Sequence, residues 1–199
     1  MKSVVYVEGG GGKQLNRTCR MAFGKLFERS GFRGRNPRIV PSGSRNDTYD
    51  HFRSKHDNND SSETFVTMLV DIEDPVVDIE KTWDHLFAQD KWARPVSAID
   101  EQVLLMTTSM ETWIVADRVT LNELYGSKLR ETKLPSLHNL EGRHAKDVLE
   151  ALNSATKDCS SPYAKGRNSF AVLEKLNPEA LKNHLPSFNR VLRILENRL

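Results

Sequence analysis

The chain has little that would staple or anchor it. Its 199 residues include two cysteines, Cys19 and Cys159, which stand far apart without ligand spacing. That excludes a disulfide framework and a cysteine-based zinc site, and it fits a reducing cytoplasm. No apolar run approaches the length of a membrane span, so no membrane contact is expected. The opening MKSVVYVEGG carries one lysine and a short apolar run. It reads as a strand and is too short for a signal peptide. The six histidines show no HExxH spacing, and no Gly-x-Ser-x-Gly elbow occurs. Zinc hydrolase and serine esterase chemistry are therefore set aside. Internal repeats, low-complexity tracts and clear linkers are also lacking.

What is present describes a globular chain: 38% of residues are hydrophobic and 28% charged. The net charge is only +2, but it is unevenly spread. Residues 1–60 hold 12 Lys/Arg against 6 Asp/Glu, whereas residues 61–120 hold 4 against 12. The balance thus swings from +6 to −8. A basic third beside an acidic middle suits phosphates held near cations, or two solvated faces.

SVVYVE (3–8) is a β-rich run that ends in Glu8, and four glycines follow. Leu15, Cys19, Ala22, Phe23, Leu26 and Phe27 then fall on one helical stripe, with Gly31 as its stop. Strand, glycine turn and helix open an α/β unit. RIV (38–40) suggests a short second strand, residues 44–56 a helix and NNDSS (58–62) a loop. TFVTMLVD (64–71) is the strongest strand, apolar as a parallel strand buried on both faces would be. A helix bearing Trp83, Leu86 and Phe87 comes next, then a strand at QVLLMTT (102–108). METWIVADRVTLNELYG reads as one or two helices ending at Gly126. Short helices fill 145–199, the last with Phe188, Val191, Leu192 and Leu195 on one stripe. The expected fold is α/β with a mainly parallel sheet. The expected layout is a core at 1–125 and a packed helical extension at 126–199, as a single compact unit.

Three acids terminate strands. Glu8 ends the first, and Asp71 and Glu73 end the third, where strand alternation would put both on one side. Open parallel sheets bind ligands beyond their carboxyl ends, at the switch in strand order. Clustered carboxylates there suit Mg²⁺ or Mn²⁺ and are poor zinc ligands. The plainer alternative is ordinary loop residues or helix caps; Asp74 before Pro75 has that look.

GGGGK (9–13) fails as a P-loop, because Val7 stands where the first glycine belongs and Gln14 follows Lys13. Gly9 and Gly10 still suit a tight turn that presents amides to a phosphate, with Lys13 reinforcing it; a simple turn is the alternative. Glu111 follows the fourth strand and is either a further ligand or a first-turn acid favoured by the helix dipole. Lys165, in a Gly- and Ser-containing loop, suits the charge of a pentacoordinate phosphate or is a surface lysine. Arg33, Arg35, Arg38 and Arg45 make a basic run fit for a nucleic-acid backbone, or a solvated connection.

The order hydrophobic strand, Glu-Gly, helix, second strand ending Asp-x-Glu resembles the Toprim domain of topoisomerases, primases, small ribonucleases and overcoming-lysogenization-defect nucleases. VYVEGGGG supplies the first signature and LVDIED the second. Through LVDIEDPV, METWIVAD with LYG, and SPYAKGRNSF, the chain more closely resembles an uncharacterised bacterial Toprim-like family often encoded beside ABC or SMC-like ATPases. The resemblance implies Glu8 as general acid/base or metal-linked carboxylate and Asp71 and Glu73 as Mg²⁺ ligands. Asp74 competes with Glu73, and Lys165 matches the late lysine of related nucleases. It further implies cleavage of DNA or RNA, possibly tRNA, as the effector of an ATPase-coupled anti-phage system. The rival implication is a degenerate, regulatory subunit docked on the ATPase. Many Toprim domains carry an acid four residues after the glutamate, where this chain has Gly12. A third possibility, nucleotidyl transfer, would use the same residues.

Overall fold

Runs rich in Val, Leu and Met become the strands, because β-branched and apolar side chains pack well on a pleat buried on both faces. The computed structural model describes residues 2–58 and 64–199. Its strands are β1 (Lys2–Val7), β2 (Arg38–Pro41), β3 (Thr64–Asp71) and β4 (Val103–Met106). They form one parallel sheet in the order β2-β1-β3-β4. The chain leaves β1 toward one edge and returns toward the other, so the topological switch lies between β1 and β3. The loop expected at 58–62 falls, apart from Asn58, outside the described residues.

Period-two alternation divides the strand residues between two helical layers. Val5, Val7, Leu69, Leu104 and Met106 face one core; Val4, Met68, Val70, Val103 and Leu105 face the other. The second face is covered by α2 (Arg45–Asp57) and α3 (Thr82–Asp90), through Tyr49, Phe52, Trp83 and Leu86. The first is covered by α1 (Lys13–Phe27), α4 (Met110–Ala116) and α5 (Arg118–Tyr125), together with α6 (Ala145–Thr156), α7 (Arg167–Leu173), α8 (Pro178–His184) and α9 (Pro186–Arg198). The stripes expected on α1 and α9 are the buried ones, except that Leu15 is only partly covered. Helix α9 lies directly on β1 and β4, so the C-terminal helices belong to one of the two layers on the sheet. At their centre Trp113 meets Phe188 edge-on at 4.9 Å and Phe23 at 6.5 Å. Such pairs add about 0.5–1.5 kcal/mol each beyond the area they bury.

Strand β4 departs from expectation, and two helical regions gain detail. Phe87, on the expected helix, is 59% exposed, with the Lys91 ammonium 5.9 Å from its ring. Strand β4 is shorter than 102–108. Gln102 sits in a 3₁₀ turn, where its side-chain oxygen accepts from the Ile99 amide and its amide group donates to the Val66 carbonyl. METWIVADRVTLNELYG forms two helices because Asp117 intervenes and caps α5, accepting from the Thr120 amide at 3.0 Å. Its other oxygen accepts from the Asn177 amide, which makes Asp117 a buried structural residue.

Candidate functional site

The carboxyl ends of β1 and β3 deliver Glu8 and Asp71 side by side at the switch point. Oε2 of Glu8 accepts a hydrogen bond from the Asp71 backbone amide at 3.1 Å. Oδ1 of Asp71 accepts from the Met110 amide, at the start of α4, at 3.0 Å. The next residue along α4 is Glu111, which is 1% exposed. All three acids line one cavity of about 220 Å³, with Lys165 on its wall. The Lys165 ammonium is 3.8 Å from Oε2 of Glu111, whose Oε1 accepts from the Tyr163 hydroxyl at 2.7 Å.

Burial, then the charges of Glu8 and Glu111, hold the Asp71 carboxyl well above the usual aspartate range; Lys165 and the Met110 amide oppose this. Burial likewise raises Glu8, with Arg45 as the strongest opposing influence and Glu73 adding to the rise. Like-charged carboxylates taken out of water hold protons unless a cation joins them. Burial and the Glu111 charge also push the Tyr163 phenol up, so it stays a donor.

The glycine turn forms the opposite wall. Gly9 exchanges backbone hydrogen bonds with Gly43, 2.8 and 2.9 Å, tying the turn after β1 to the start of α2. Gly10 has φ 98°, and a Cβ there would lie 2.1 Å from Oδ1 of Asn16. That same oxygen accepts from the Gly11 amide at 2.9 Å. Gly9 and Gly10 line the cavity; Lys13 is exposed and does not. Gly12 has φ 122° and also stands off the wall. An acid at position 12 would be strained there, since side-chain-bearing residues avoid that backbone region.

Glu73 and Asp74 are placed differently from expectation. Strand β3 ends at Asp71, so alternation does not carry on to Glu73. The Ile72 and Glu73 amides both donate to the Thr108 carbonyl, and Glu73 turns into the left-handed region with φ 66°. Glu73 and Asp74 line an adjoining cavity of about 500 Å³ with His144 and Lys165. Asp74 pairs there with His144 Nδ1 at 2.7 Å. Lys165 borders both cavities.

The arginines separate. Arg45 opens α2 beside the site. Its guanidinium donates to the Asp71 carbonyl, makes two bonds to Asp90 at 2.6 and 3.0 Å, and lies 4.9 Å from the Trp92 ring. Arg33 and Arg35 precede β2 and so lie at the amino end of the sheet, away from the acids. Arg35 is engaged there by Glu196.

The chain belongs to the DUF4276 family. This family, described as a domain of unknown function, matches residues 7–196 and so includes every site residue above. No curated protein and no solved structure matches the chain.

The acids lining the cavity of the DUF4276 site offer carboxylate oxygens, the donor chemistry of a hard cation, beside the Lys165 ammonium. Among the described residues, no three or more Asp, Glu, His or Cys side chains are arranged to hold a metal ion together. Mg²⁺ needs only one or two carboxylates, with water or phosphate completing its shell. The residues therefore fit Mg²⁺ held through Glu8 and Asp71, and they do not fit a cage of three protein ligands. Glu111 was legible only as a loose candidate, and Tyr163 and Asn16 carried no signal. Their partners lie 52 and 5 residues away in patterns that no short motif encodes.

Proposed function

We propose that this DUF4276 chain hydrolyses phosphodiester bonds of DNA or RNA, with Mg²⁺ or Mn²⁺ at Glu8 and Asp71. One observation carries the reading: Glu8, Asp71 and Glu111 converge from separate elements on one cavity whose wall also bears Lys165. A bound divalent ion would supply Lewis-acid charge and an acidified water. The chain's own groups do the rest. Oε2 of Glu8 is held by the Asp71 amide, which leaves Oε1 to take a proton from water and return it to the leaving oxygen. Glu111, anchored by Tyr163, holds the Lys165 ammonium where it can meet charge developing on a phosphate. Gly9 and Gly10 let a phosphate approach the wall closely. The proposed site thus uses four of the expected residues, Glu8, Asp71, Glu111 and Lys165, and leaves Glu73 and Asp74 on its rim.

The wider reading is a cytoplasmic nuclease subunit working with an ABC or SMC-like ATPase in anti-phage defence. It is supported by the Toprim resemblance of VYVEGGGG and LVDIED, and by the free thiols of Cys19 and Cys159. No helix among the described residues is long and apolar enough to cross a membrane. A second reading, a regulatory subunit with a degenerate centre, is favoured by the lack of a three-ligand cage among the described residues.

The deciding experiment incubates the chain with Mn²⁺ and mixed DNA and RNA, with and without the ATPase. Cleavage that disappears in Asp71→Asn, with the fold intact, supports the nuclease. Cleavage at the wild-type rate in Asp71→Asn sinks this mechanism. Absence of both cleavage and Mn²⁺ binding leaves the regulatory reading.

A further inference from the structure

The acidic site sets two limits on what can enter it, room and charge. The cavity shared by Glu8, Asp71 and Glu111 has a volume of about 220 Å³. That is roughly the space of seven waters, at ~30 Å³ each. Glu111 is 1% exposed, so a phosphate meets it by entering that space. Both walls are tied down. Gly9 and Gly43 exchange two backbone bonds on one side. On the other, the Ser169 hydroxyl donates to the Gly166 carbonyl at 2.7 Å and accepts from its amide at 3.0 Å. Such a space takes a phosphate with part of its sugar and has no place for a paired strand.

The charge limit comes from the rim. The adjoining cavity bordered by Lys165 adds Glu73, Asp74 and Asp147 to the three acids. The two cavities together carry six carboxyl groups against two lysines, Lys146 and Lys165. Lys165 already faces Glu111, and Lys146 lies 3.9 Å from Glu150. The charge of Glu73 is felt at Glu8, so the rim and the centre act on one ligand. A divalent ion would offset two of these charges and leave acidic surroundings. Arg33 and Arg35 stand at the far end of the sheet and offer no relief.

A duplex and a single strand meet these limits differently. Duplex DNA brings a charge every ~1.7 Å of axis, about twice the density of one strand. It is stiff over roughly 150 base pairs, so it cannot turn one phosphate inward while its neighbours stay paired. Its second strand would also press further phosphates toward the rim acids. A single strand rotates about its own backbone, sends one phosphate inward and turns the next ones to solvent.

We propose that the site admits nucleic acid only as a single strand, one phosphate at a time, with the flanking phosphates turned away from Glu73, Asp74 and Asp147. This names the substrate class within the nuclease reading, and it rests on that reading for where the scissile phosphate lies.

The test reads binding and cleavage separately on the full chain. One sequence is prepared as single-stranded DNA, single-stranded RNA and the duplex of each. Binding is followed by fluorescence anisotropy with Ca²⁺, which takes the same oxygen ligands, and cleavage on gels with Mn²⁺. Single strands should bind about tenfold more tightly than their duplexes, and the DNA and RNA arms show which sugar is preferred. Glu73→Gln and Asp147→Asn, at exposed positions, should narrow that gap severalfold by strengthening duplex binding. An unaltered melting temperature shows that both variants fold. Duplex binding as tight as single-strand binding, a gap indifferent to both variants, or no binding of any form at high micromolar concentration overturns the proposal. Preferential single-strand binding without cleavage supports it and removes the nuclease reading. Duplex cleavage at the single-strand rate does the reverse.

Discussion

Tyr163 donates its hydroxyl hydrogen to Oε1 of Glu111 across 2.7 Å, and both side chains are buried. The pair joins the loop before α7 to the first turn of α4, and it holds Glu111 where Lys165 can reach its other oxygen. Tyr163→Phe removes only the donor. A buried acceptor left without its partner costs about 1–3 kcal/mol. The variant should melt roughly 2–12 °C lower, at ~2–4 °C per kcal/mol for a chain of this size. Thermal unfolding followed by circular dichroism checks it; an unchanged midpoint would mean that the bond contributes nothing net.

Asp71→Asn should stabilise the metal-free protein at neutral and alkaline pH. The folded state holds the Asp71 proton more tightly than the unfolded chain does. Its contribution is therefore fully present below the ordinary aspartate value of about 3.9 and is lost as pH rises through the raised folded value. Asparagine keeps the acceptor for the Met110 amide and removes the charge. The variant's melting temperature should exceed wild type by several degrees at pH 8, and the gap should close toward pH 4. If Mn²⁺ binds as proposed, it should raise wild type at pH 8 and leave the variant unmoved.

A second pH dependence belongs to Glu141, outside the site. Burial pushes its carboxyl from the ordinary 4.5 up to about 7, against the lowering effect of hydrogen bonds from the Ser187 hydroxyl and amide at the start of α9. The raised value makes Glu141 stabilising below pH 4.5, with that stability lost as pH rises to about 7. Full burial would make this roughly 3 kcal/mol; partial solvent screening reduces it to ~1–2 kcal/mol. Urea unfolding of wild type and Glu141→Gln at pH 5 and pH 8 should show the extra pH slope in wild type alone.

Arg45→Ala should be costly even though Arg45 opens a helix. It strips Asp90 of a two-pronged partner, frees the Asp71 carbonyl and uncovers Trp92. Side chains at 16% and 18% exposure place this pair well below the surface class, so about 2–4 kcal/mol is expected in urea unfolding. Arg45→Lys should recover less than half, because an ammonium cannot reproduce the planar fork.

The sheet was legible because buried parallel strands are written as apolar runs, and Glu8 and Asp71 were legible because they terminate such runs. The third acid was misplaced for a physical reason. Alternation applies only while the ladder lasts, and the Thr108 carbonyl captures the two amides after Asp71 and rotates Glu73 away. Glu111 gave a weaker signal because a first-turn glutamate ordinarily serves a helix dipole in water, and only tertiary packing makes it 1% exposed. Lys165 was reached by resemblance, whereas Tyr163, two residues before it, was not. The arginines appeared as one run in sequence, yet β2 lies between them, so Arg33 and Arg35 stand at one end of the sheet and Arg45 at the other.

Glu8 and Asp71 are bonded neighbours separated by 63 residues of chain, and Glu111 and Lys165 arrive from later still. The cluster draws on positions from 8 to 165, so no short fragment holds it and assembling it carries the loop-closure entropy of long-range contacts. A half-made chain carries the acids scattered and hydrated, as harmless as any loop residues. Whatever reactivity the centre has is therefore switched on by completion of the fold itself, so that each molecule able to act has already passed its own quality control.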